Sequence, residues 1–342
     1  MIRNKKFKNA INHHKQNVPP IWFMRQAGRY HKHYQKLRKK YKFEELCKIP
    51  ELATETALGP IDEFDFDIAI LFSDILFPLE SLGLGLKYVP GPTFSENIKP
   101  KHIKDLRSLE EINNDLKFQS DAIKLTRKEL SNDKSLVGFV GGPWTLLSFA
   151  AGIKNELQII NVEQNKFFEK ALYNVLIPII KQSIKSQLDA GADIVYIFDT
   201  NAVQLEKKYF IKNYLNKLKK ELFLPFKKRV AYFTKNDAIN SIADVNKELS
   251  LAGYVFNSLN GLSQKLKTNK TGFIQGNFSP VSLKKEHSDF LNDYKIFKDK
   301  MLSMTNEDTA GWICSLNHGV LPKTPEKNVK YFIDDIRNSF DR

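Results

Sequence analysis

The sequence predicts an α/β protein folded as a single-domain (β/α)8 TIM barrel. Short apolar segments bounded by Gly, Asp or Asn alternate along the chain with helical patterns, and most run continuously apolar, as buried parallel strands do. An open doubly wound sheet has the same local pattern, so periodicity alone leaves both architectures open. The eight predicted strands are Ile21–Met24, Ile68–Phe72, Leu136–Val140, Ile194–Phe198, Arg229–Phe233, Tyr254–Phe256, Gly272–Ile274 and Trp312–Leu316.

Two of the predicted helices have clear signals. Phe167–Leu188 carries apolar residues at spacings of three and four, and Gly191 then ends the helix. Lys323–Phe340 begins with Thr324 as a cap residue and Pro325 at the first helical position. Both segments follow a strand or lead into one, as a barrel requires.

The chain of 342 residues can form one large α/β domain or two ordinary ones. No linker, internal repeat or low-complexity tract divides it. We therefore expect a basic N-terminal segment of poor order at residues 1–17 and one barrel domain over residues 18–342.

The composition is strongly basic, with 53 Lys and Arg against 39 Asp and Glu and a net charge of +14. Such a charge suits nucleic acid, a membrane surface or an acidic small molecule. Lysine is spread along the whole chain, however, and zinc-finger spacing, RNP-like aromatics and basic heptad helices are absent. Nucleic-acid binding is therefore a minor hypothesis.

The same sequence predicts a soluble, cytoplasmic protein. Cys47 and Cys314 are far apart and form no CxxC pair, which is typical of a reducing compartment. The N-terminus lacks the apolar core of a signal peptide, and no apolar run is long enough to span a bilayer.

Two arginines stand out in the segment PIWFMRQAGRY. The chain has 44 lysines and only 9 arginines, so Arg25 and Arg29 on one short loop suggest a task that lysine cannot perform. That task is the planar, bidentate binding of carboxylate or phosphate. Gly28 between them allows a tight turn and close approach of a ligand. The alternative is a solvated loop with two ordinary surface arginines.

Polar residues follow nearly every predicted strand, at the ends where barrel enzymes place their active sites. We expect them to ring one pocket. Besides the two arginines they are Ser73-Asp74, Gly141-Gly142-Pro143, Asp199-Thr200, Thr234, Asn257, Gln275-Gly276-Asn277 and Asn317-His318-Gly319.

Each of these residues also has a structural interpretation. Asp74 could collect N–H donors or stabilise a cation, or it could cap a helix beginning near Ile75. His318 could act as an acid, a base or a donor, or it could be a structural histidine. Asp199 could hold its loop by hydrogen bonds instead of touching substrate, and Phe149 suits packing better than chemistry.

Familiar cofactor motifs are absent from the sequence: it has no GxxxxGK[ST], no GxGxxG after a strand, no HExxH and no GxSxG. An HxC metal pair is also missing. We therefore expect a pocket without metal or cofactor. Two arginines and one isolated aspartate suit a polyanionic substrate that carries N–H donors or develops positive charge.

With these residues assembled, the chain resembles the uroporphyrinogen decarboxylase family. The motifs PIWFMRQAGRY, FSDIL, GFVGGPWTLLSFA, GADIVYIFDT, TGFIQGN and LNHGVLPKTP occur in the family's order, from about residue 18 to residue 338. The resemblance implies a (β/α)8 barrel, a homodimer and no cofactor. It also implies a carboxy-lyase of haem biosynthesis that converts the four acetates of uroporphyrinogen III to methyls, giving coproporphyrinogen III and CO2.

The resemblance also assigns roles to residues. It implies that Asp74 accepts the pyrrole N–H groups and stabilises a cation, while Arg25 and Arg29 orient carboxylates. It implies substrate contacts at Arg25, Gln26, Ala27, Gly28, Arg29, Asp74, Phe149, Thr200 and His318. Two of these depart from the family pattern, since Phe149 stands where the family usually has Tyr and Thr200 where it often has Ser.

Two other functions stay open at this point. One is a zinc-dependent methyltransferase of the same superfamily, acting on a corrinoid or thiol. Such a protein would carry an HxC pair and a distant Cys, but in this chain Trp312 stands where that histidine would precede Cys314. A non-enzymatic polyanion binder is suggested by charge alone.

Overall fold

The computed structural model describes residues 2–153, 155, 158–163 and 165–341. Seven parallel strands of these residues form one curled sheet in the order β1–β4–β5–β6–β7–β8–β9, and the short strands β2 and β3 form an antiparallel hairpin. The strands are β1 Ile68–Ile70, β2 Lys87–Tyr88, β3 Pro92–Thr93, β4 Ser135–Gly141, β5 Ile194–Asp199, β6 Val230–Thr234, β7 Gly253–Val255, β8 Phe273–Phe278 and β9 Trp312–Leu316.

The first predicted strand, Ile21–Met24, is reduced to one bridge. Ile21 pairs in parallel with Cys314 of β9, and its carbonyl accepts from Asp67 N (3.0 Å), just before β1. A ladder does not extend further because the Phe23 carbonyl accepts from Gln26 N (3.1 Å) in a turn. Residue 21 thus lies between the first and last strands of the sheet.

Burial explains why the strands read as continuous apolar runs. Every residue of β4, β6 and β9 is buried, because helices cover the outer face and side chains fill the inner one. Three polar residues of the interior bond one another: Gln275 of β8 accepts from the Tyr196 hydroxyl and donates to Ser315 Oγ, both at 3.0 Å. The sequence predicts the end of β8 at Ile274, but the strand continues to Phe278 because its backbone pairs with β9 as far as Leu316.

Helices surround the sheet. The α-helices are α1 Lys5–Asn12, α2 Lys32–Lys40, α3 Phe43–Lys48, α4 Pro50–Phe64, α5 Phe77–Ser81, α6 Pro100–Lys104, α7 Leu109–Asp115, α8 Lys117–Glu129, α9 Pro143–Ala150, α10 Lys166–Ala171, α11 Ile177–Asp189, α12 Lys207–Tyr209, α13 Leu215–Leu218, α14 Val245–Leu249, α15 Leu262–Thr268, α16 Pro280–Lys284, α17 His287–Leu302 and α18 Glu326–Phe340. The π-helical turns are Leu172–Leu176, Phe210–Tyr214 and Lys219–Phe223, and the 3-10 turns are Thr200–Gln204, Leu224–Phe226 and Asp237–Ser241. No helix in the described ranges is long and apolar enough to cross a bilayer.

The two helices with clear sequence signals differ slightly from expectation. The first is continuous through a π-helical turn that joins α10 to α11. The second, α18, begins at Glu326, with Pro325 as its extended N-cap residue. Thr324 does not cap it, because its hydroxyl donates to the Leu321 carbonyl (2.8 Å) in the preceding turn.

The N-terminal segment, for which the basic sequence predicts poor order, contains helix α1. Phe7 and Ala10 lie on one face of this helix and are fully buried against the sheet. Asn4 caps the helix by accepting from Phe7 N (2.9 Å), and its own N–H donates to Ser135 Oγ (3.2 Å) at the start of β4. These apolar and capping positions, not the net charge, determine the local structure.

Candidate active site

The loop after Ile21 is a tight, internally bonded turn. Arg25 has a φ of 62°, in the left-handed region that non-glycine residues rarely adopt. The turn is held by the Tyr30 hydroxyl, which donates to the Gln26 carbonyl (2.7 Å), and by His31 N, which donates to the Gly28 carbonyl (2.9 Å). A Cβ on Gly28 would lie 3.2 Å from the Arg25 carbonyl, so the tight turn expected at this glycine is present.

Arg25 and Arg29 are both exposed, and neither forms an ion pair with the residues that the structure describes. Burial nevertheless lowers the pKa of Arg25, and the positive charge of Arg29 lowers it further. The negative charge of Asp74 raises it. The Arg25 side chain is thus surrounded by protein and still reached by solvent, as in a concave surface. We therefore place Arg25 in a cleft.

Asp74 lies across this cleft from Arg25. Its Oδ1 accepts from Leu76 N (2.8 Å), but α5 begins only at Phe77 and its N-cap residue, Leu76, makes no side-chain cap bond. The alternative of a helix cap beginning near Ile75 is therefore wrong in this form. Burial raises the pKa of Asp74, while the Leu76 N–H, the Tyr88 hydroxyl and the charge of Arg25 lower it.

The loop after β9 completes this side of the cleft. A Cβ on Gly319 would lie 2.5 Å from Arg25 Cδ, so the stem of the arginine rests directly on that backbone. His318 is half-buried, its Nδ1 accepts from Gly319 N (2.8 Å), and its ring meets Phe233 edge-on at 5.5 Å. Arg25, Asp74 and the His318–Gly319 loop are thus brought together.

Thr200 and Phe149 lie on neighbouring elements. Both are half-buried, and Asn201 Nδ2 donates to Ser148 Oγ (3.0 Å), which joins the loop after β5 to α9. Rings connect this loop to His318, because Phe198 contacts Phe233 with centroids 6.1 Å apart and Phe233 contacts His318.

Gln26 has a different environment from its neighbours in the loop. Its side chain is fully buried, and its Nε2 donates to the Ile68 carbonyl (3.2 Å) of β1. Ala27 and Gly28 are half-buried. The side chain of Gln26 therefore attaches the loop to the sheet.

Asp199 is fully buried and serves as an internal acceptor. It accepts from Thr145 N and Thr145 Oγ1, both at 2.9 Å, and from the hydroxyls of Tyr214 and Tyr232. Burial raises the pKa of Asp199 and these donors lower it. Of the two interpretations of Asp199, the structure supports the one in which it holds the loop. The tyrosines were not identifiable from sequence, since they come from distant segments.

Two cavities and the distribution of possible metal ligands describe the surface outside the cleft. Cavities of 460 and 260 Å³ lie elsewhere, one beside Lys207 and Asp237 and the other beside Leu259 and Ile296. Across the described part of the chain, no group of three or more His, Cys, Asp or Glu side chains could hold a metal ion. The chemistry available in the cleft is that of two guanidinium groups, one carboxylate and an imidazole.

Sequence comparison shows the family to which the chain belongs. The model of the uroporphyrinogen decarboxylase family matches residues 2–339. The chain belongs to the uroporphyrinogen decarboxylase family. Uroporphyrinogen decarboxylase from Orientia tsutsugamushi (strain Ikeda) is 37% identical, over 97% of this chain and 98% of its own length. The uroporphyrinogen decarboxylase of Helicobacter acinonychis (strain Sheeba) is 35% identical, over 93% and 94%.

Solved structures of proteins with lower sequence identity share the fold of this chain. A methyltransferase from Methanosarcina mazei superposes with a TM-score of 0.76 over 100% of both chains, at 17% sequence identity. Such a likeness shows a shared α/β fold and carries no information on the reaction.

Proposed function

We propose that this protein is a carboxy-lyase that converts the four acetate side chains of uroporphyrinogen III to methyls, giving coproporphyrinogen III and CO2 in haem biosynthesis. The observation that carries the proposal is the cleft in which Arg25, with Arg29 acting on it, faces Asp74, while neither arginine has an ion pair to the described residues. Both charge types are thus available to a substrate. Membership of the family supports the choice of substrate.

Substrate binding follows from the charges. The macrocycle carries eight carboxylates, which the two guanidinium forks bind in bidentate fashion. We assign Arg25, Arg29, Thr200 and His318 to these acid groups. Phe149 supplies an apolar contact, Ala27 and Gly28 contribute through their backbone, and Gln26 holds the loop that carries them.

The chemistry needs no cofactor, because the substrate supplies its own electron sink. Protonation of a pyrrole carbon makes a cation, the C–C bond to the carboxylate then breaks, and its electron pair neutralises that cation as CO2 leaves. A second proton on the freed methylene gives the methyl group, and loss of the first proton from the ring carbon restores the neutral aromatic pyrrole. Asp74 accepts the pyrrole N–H bonds and stabilises the cation by preorganised charge.

We also propose a closed eight-stranded barrel, with residues 20–22 as the short eighth strand. The Cys314 N–H donates to the Pro20 carbonyl and the Asp67 N–H to the Ile21 carbonyl, both at 3.0 Å, which supports closure on both sides. The family resemblance further suggests a homodimer, which light scattering can test. Two buried free cysteines suit the cytoplasm, because that compartment keeps thiols reduced.

Anaerobic incubation with uroporphyrinogen III tests the proposed activity. After oxidation, mass spectrometry counts the carboxyl groups on each product. We expect intermediates with seven, six and five carboxyls and an end product with four. An unchanged eight-carboxyl substrate in the presence of folded protein would contradict the assignment, and transfer of a methyl group to a thiol would favour the methyltransferase alternative.

A further inference from the structure

Tyr88 places a phenol next to the candidate site. It lies on β2, where the hairpin pairs it with Pro92 of β3. Its ring packs between Phe43 of α3, with centroids 4.8 Å apart, and Phe77 of α5, at 6.1 Å. These contacts fix the ring on two sides, so the direction of the hydroxyl is set by packing and not by solvent.

The Tyr88 hydroxyl is buried and meets no described residue in regular hydrogen-bond geometry. The Asp74 carboxylate is the acceptor that affects this hydroxyl. Burial raises the pKa of Tyr88 most, and the charge of Asp74 raises it next. The phenol therefore stays protonated and can only donate toward Asp74. The carboxylate has spare acceptor capacity, since Leu76 N is its one regular donor among the described residues.

We propose that Tyr88 is a positioning residue: its hydroxyl hydrogen-bonds Asp74 and holds the carboxylate in the orientation that meets the macrocycle's N–H groups. The positioning role rests on the proposed function, whereas the hydrogen bond can be tested without substrate. A buried phenol that is held by two rings is a suitable donor because it loses little freedom when the bond forms.

The charges around this pair make its titration interpretable. Arg25 acts on Asp74 from the loop across the cleft, and Arg29 acts on Arg25. Cys47 of α3 also faces the pair, but burial, followed by the charge of Asp74, raises the pKa of its thiol, so it is neutral. Glu80 acts on Tyr88 and is itself paired with Lys48 at 2.8 Å.

Tyr88→Phe removes the donor and keeps the packed ring. The matched control is Tyr254→Phe, because the Tyr254 hydroxyl is likewise buried with no regular partner among the described residues but belongs to β7, where Asp244 is the charge that acts on it. Carboxyl-carbon NMR titration of the free protein, with the Asp74 signal identified by Asp74→Asn, reports the hydrogen bond directly. Steady-state kinetics against pH report its role in turnover.

We expect Tyr88→Phe to raise the pKa of Asp74, because the hydroxyl that it removes stabilises the ionised carboxylate in the wild type. The acid limb of kcat/KM should then move to higher pH, and kcat should fall about tenfold with little change in KM. Tyr254→Phe should leave all three unchanged. An Asp74 titration identical in wild type and Tyr88→Phe would overturn the hydrogen bond, and an unchanged kcat beside a shifted titration would overturn the positioning role. A wild-type protein without turnover would reject the proposed function and the positioning role together, while the titration would still decide the hydrogen bond.

Discussion

Two aspartates lie at the carboxyl ends of β1 and β5, which β4 separates in the sheet, and they have opposite capacities for a ligand. Asp199 accepts from four donors of the protein itself, on Thr145, Tyr214 and Tyr232, so its lone pairs are occupied. Asp74 has one regular donor among the described residues and faces Arg25 across the cleft. Burial raises the pKa of both carboxyls, but only Asp74 can use its charge on a substrate.

Asp74→Asn should abolish most of the activity without destabilising the fold. The amide keeps an oxygen for the Leu76 N–H but loses the charge that stabilises the cation, so kcat should fall about 100-fold or more, equivalent to about 3 kcal/mol. Turnover and melting temperature measured on the same preparation test this. Near-normal turnover in a folded variant would remove Asp74 from the mechanism.

The pH dependence of stability gives Asp74→Asn a second signature. The folded-state pKa of Asp74 lies above its ordinary value, so the ionised carboxyl disfavours folding at pH values above that pKa. The variant should therefore be at least as stable as the wild type at pH 7. This advantage should shrink as the pH falls through the Asp74 pKa, because both proteins are then neutral at this position. Urea unfolding at several pH values measures it.

Asp199→Asn should have the opposite effect. An amide nitrogen cannot accept the tyrosine hydroxyls or the Thr145 donors, so at least one buried donor is left unpaired. We expect the free energy of unfolding to fall by about 3 kcal/mol, as in other buried networks that lose one partner. Urea denaturation checks the value, and a loss below about 0.5 kcal/mol would contradict the network as drawn.

The sequence indicated these residues unequally, for physical reasons. Arg25 and Asp74 were identifiable because each directly follows an apolar run. The buried side chain of Gln26 was not, because its contact with Ile68 depends on how the turn folds back on β1. Tyr88 was missed because its segment resembles an ordinary connection, and its relation to Asp74 exists only in three dimensions.

At the scale of elements, the loop after β9 sets the position of Arg25. Gly319→Ala would place a methyl 2.5 Å from Arg25 Cδ, and the flexible side chain would have to move. Because misplaced binding groups lower the rate more than they lower stability, we expect kcat/KM to fall about tenfold with an almost unchanged melting temperature. Kinetics of the variant test this.

Gly91→Ala is the matched control for this loop. It adds the same methyl at the hairpin tip, where nothing lies within 4 Å, so both activity and stability should remain those of the wild type. Equal losses in the two variants would show that the Gly319 effect does not depend on Arg25.

Seven of the eight strands predicted from the sequence are present in the parallel sheet. They were predictable because buried parallel strands need apolar residues on both faces. The bridge at Ile21 shows the limit of that signal. An apolar run reports burial, whereas the length of a ladder depends on backbone hydrogen bonds, and here the turn closed by the Gln26 N–H ends the pairing. The N-terminal helix α1 was not predicted for a similar reason. Its buried residues, Phe7 and Ala10, lie between lysines and polar residues and form no apolar run.

At the scale of the whole molecule, the net charge of +14 should act on the encounter with an octacarboxylate substrate. Long-range attraction of this kind is screened by salt. We expect kcat/KM to fall about tenfold from low salt to about 0.5 M, while kcat changes little. Kinetics at several salt concentrations test this, and a salt-independent kcat/KM would show that the charge serves another purpose.

The chain's own charged groups are proposed to carry the decarboxylation, with Asp74 in the leading role. The most direct measurement is the release of labelled CO2 from acetate-labelled uroporphyrinogen III by chelator-treated protein under anaerobic conditions, compared with Asp74→Asn. We expect the wild type to release four CO2 per macrocycle without additives and the variant to release them at least about 100-fold more slowly. Release that depends on added zinc, or an equal rate in the variant, would contradict this proposal.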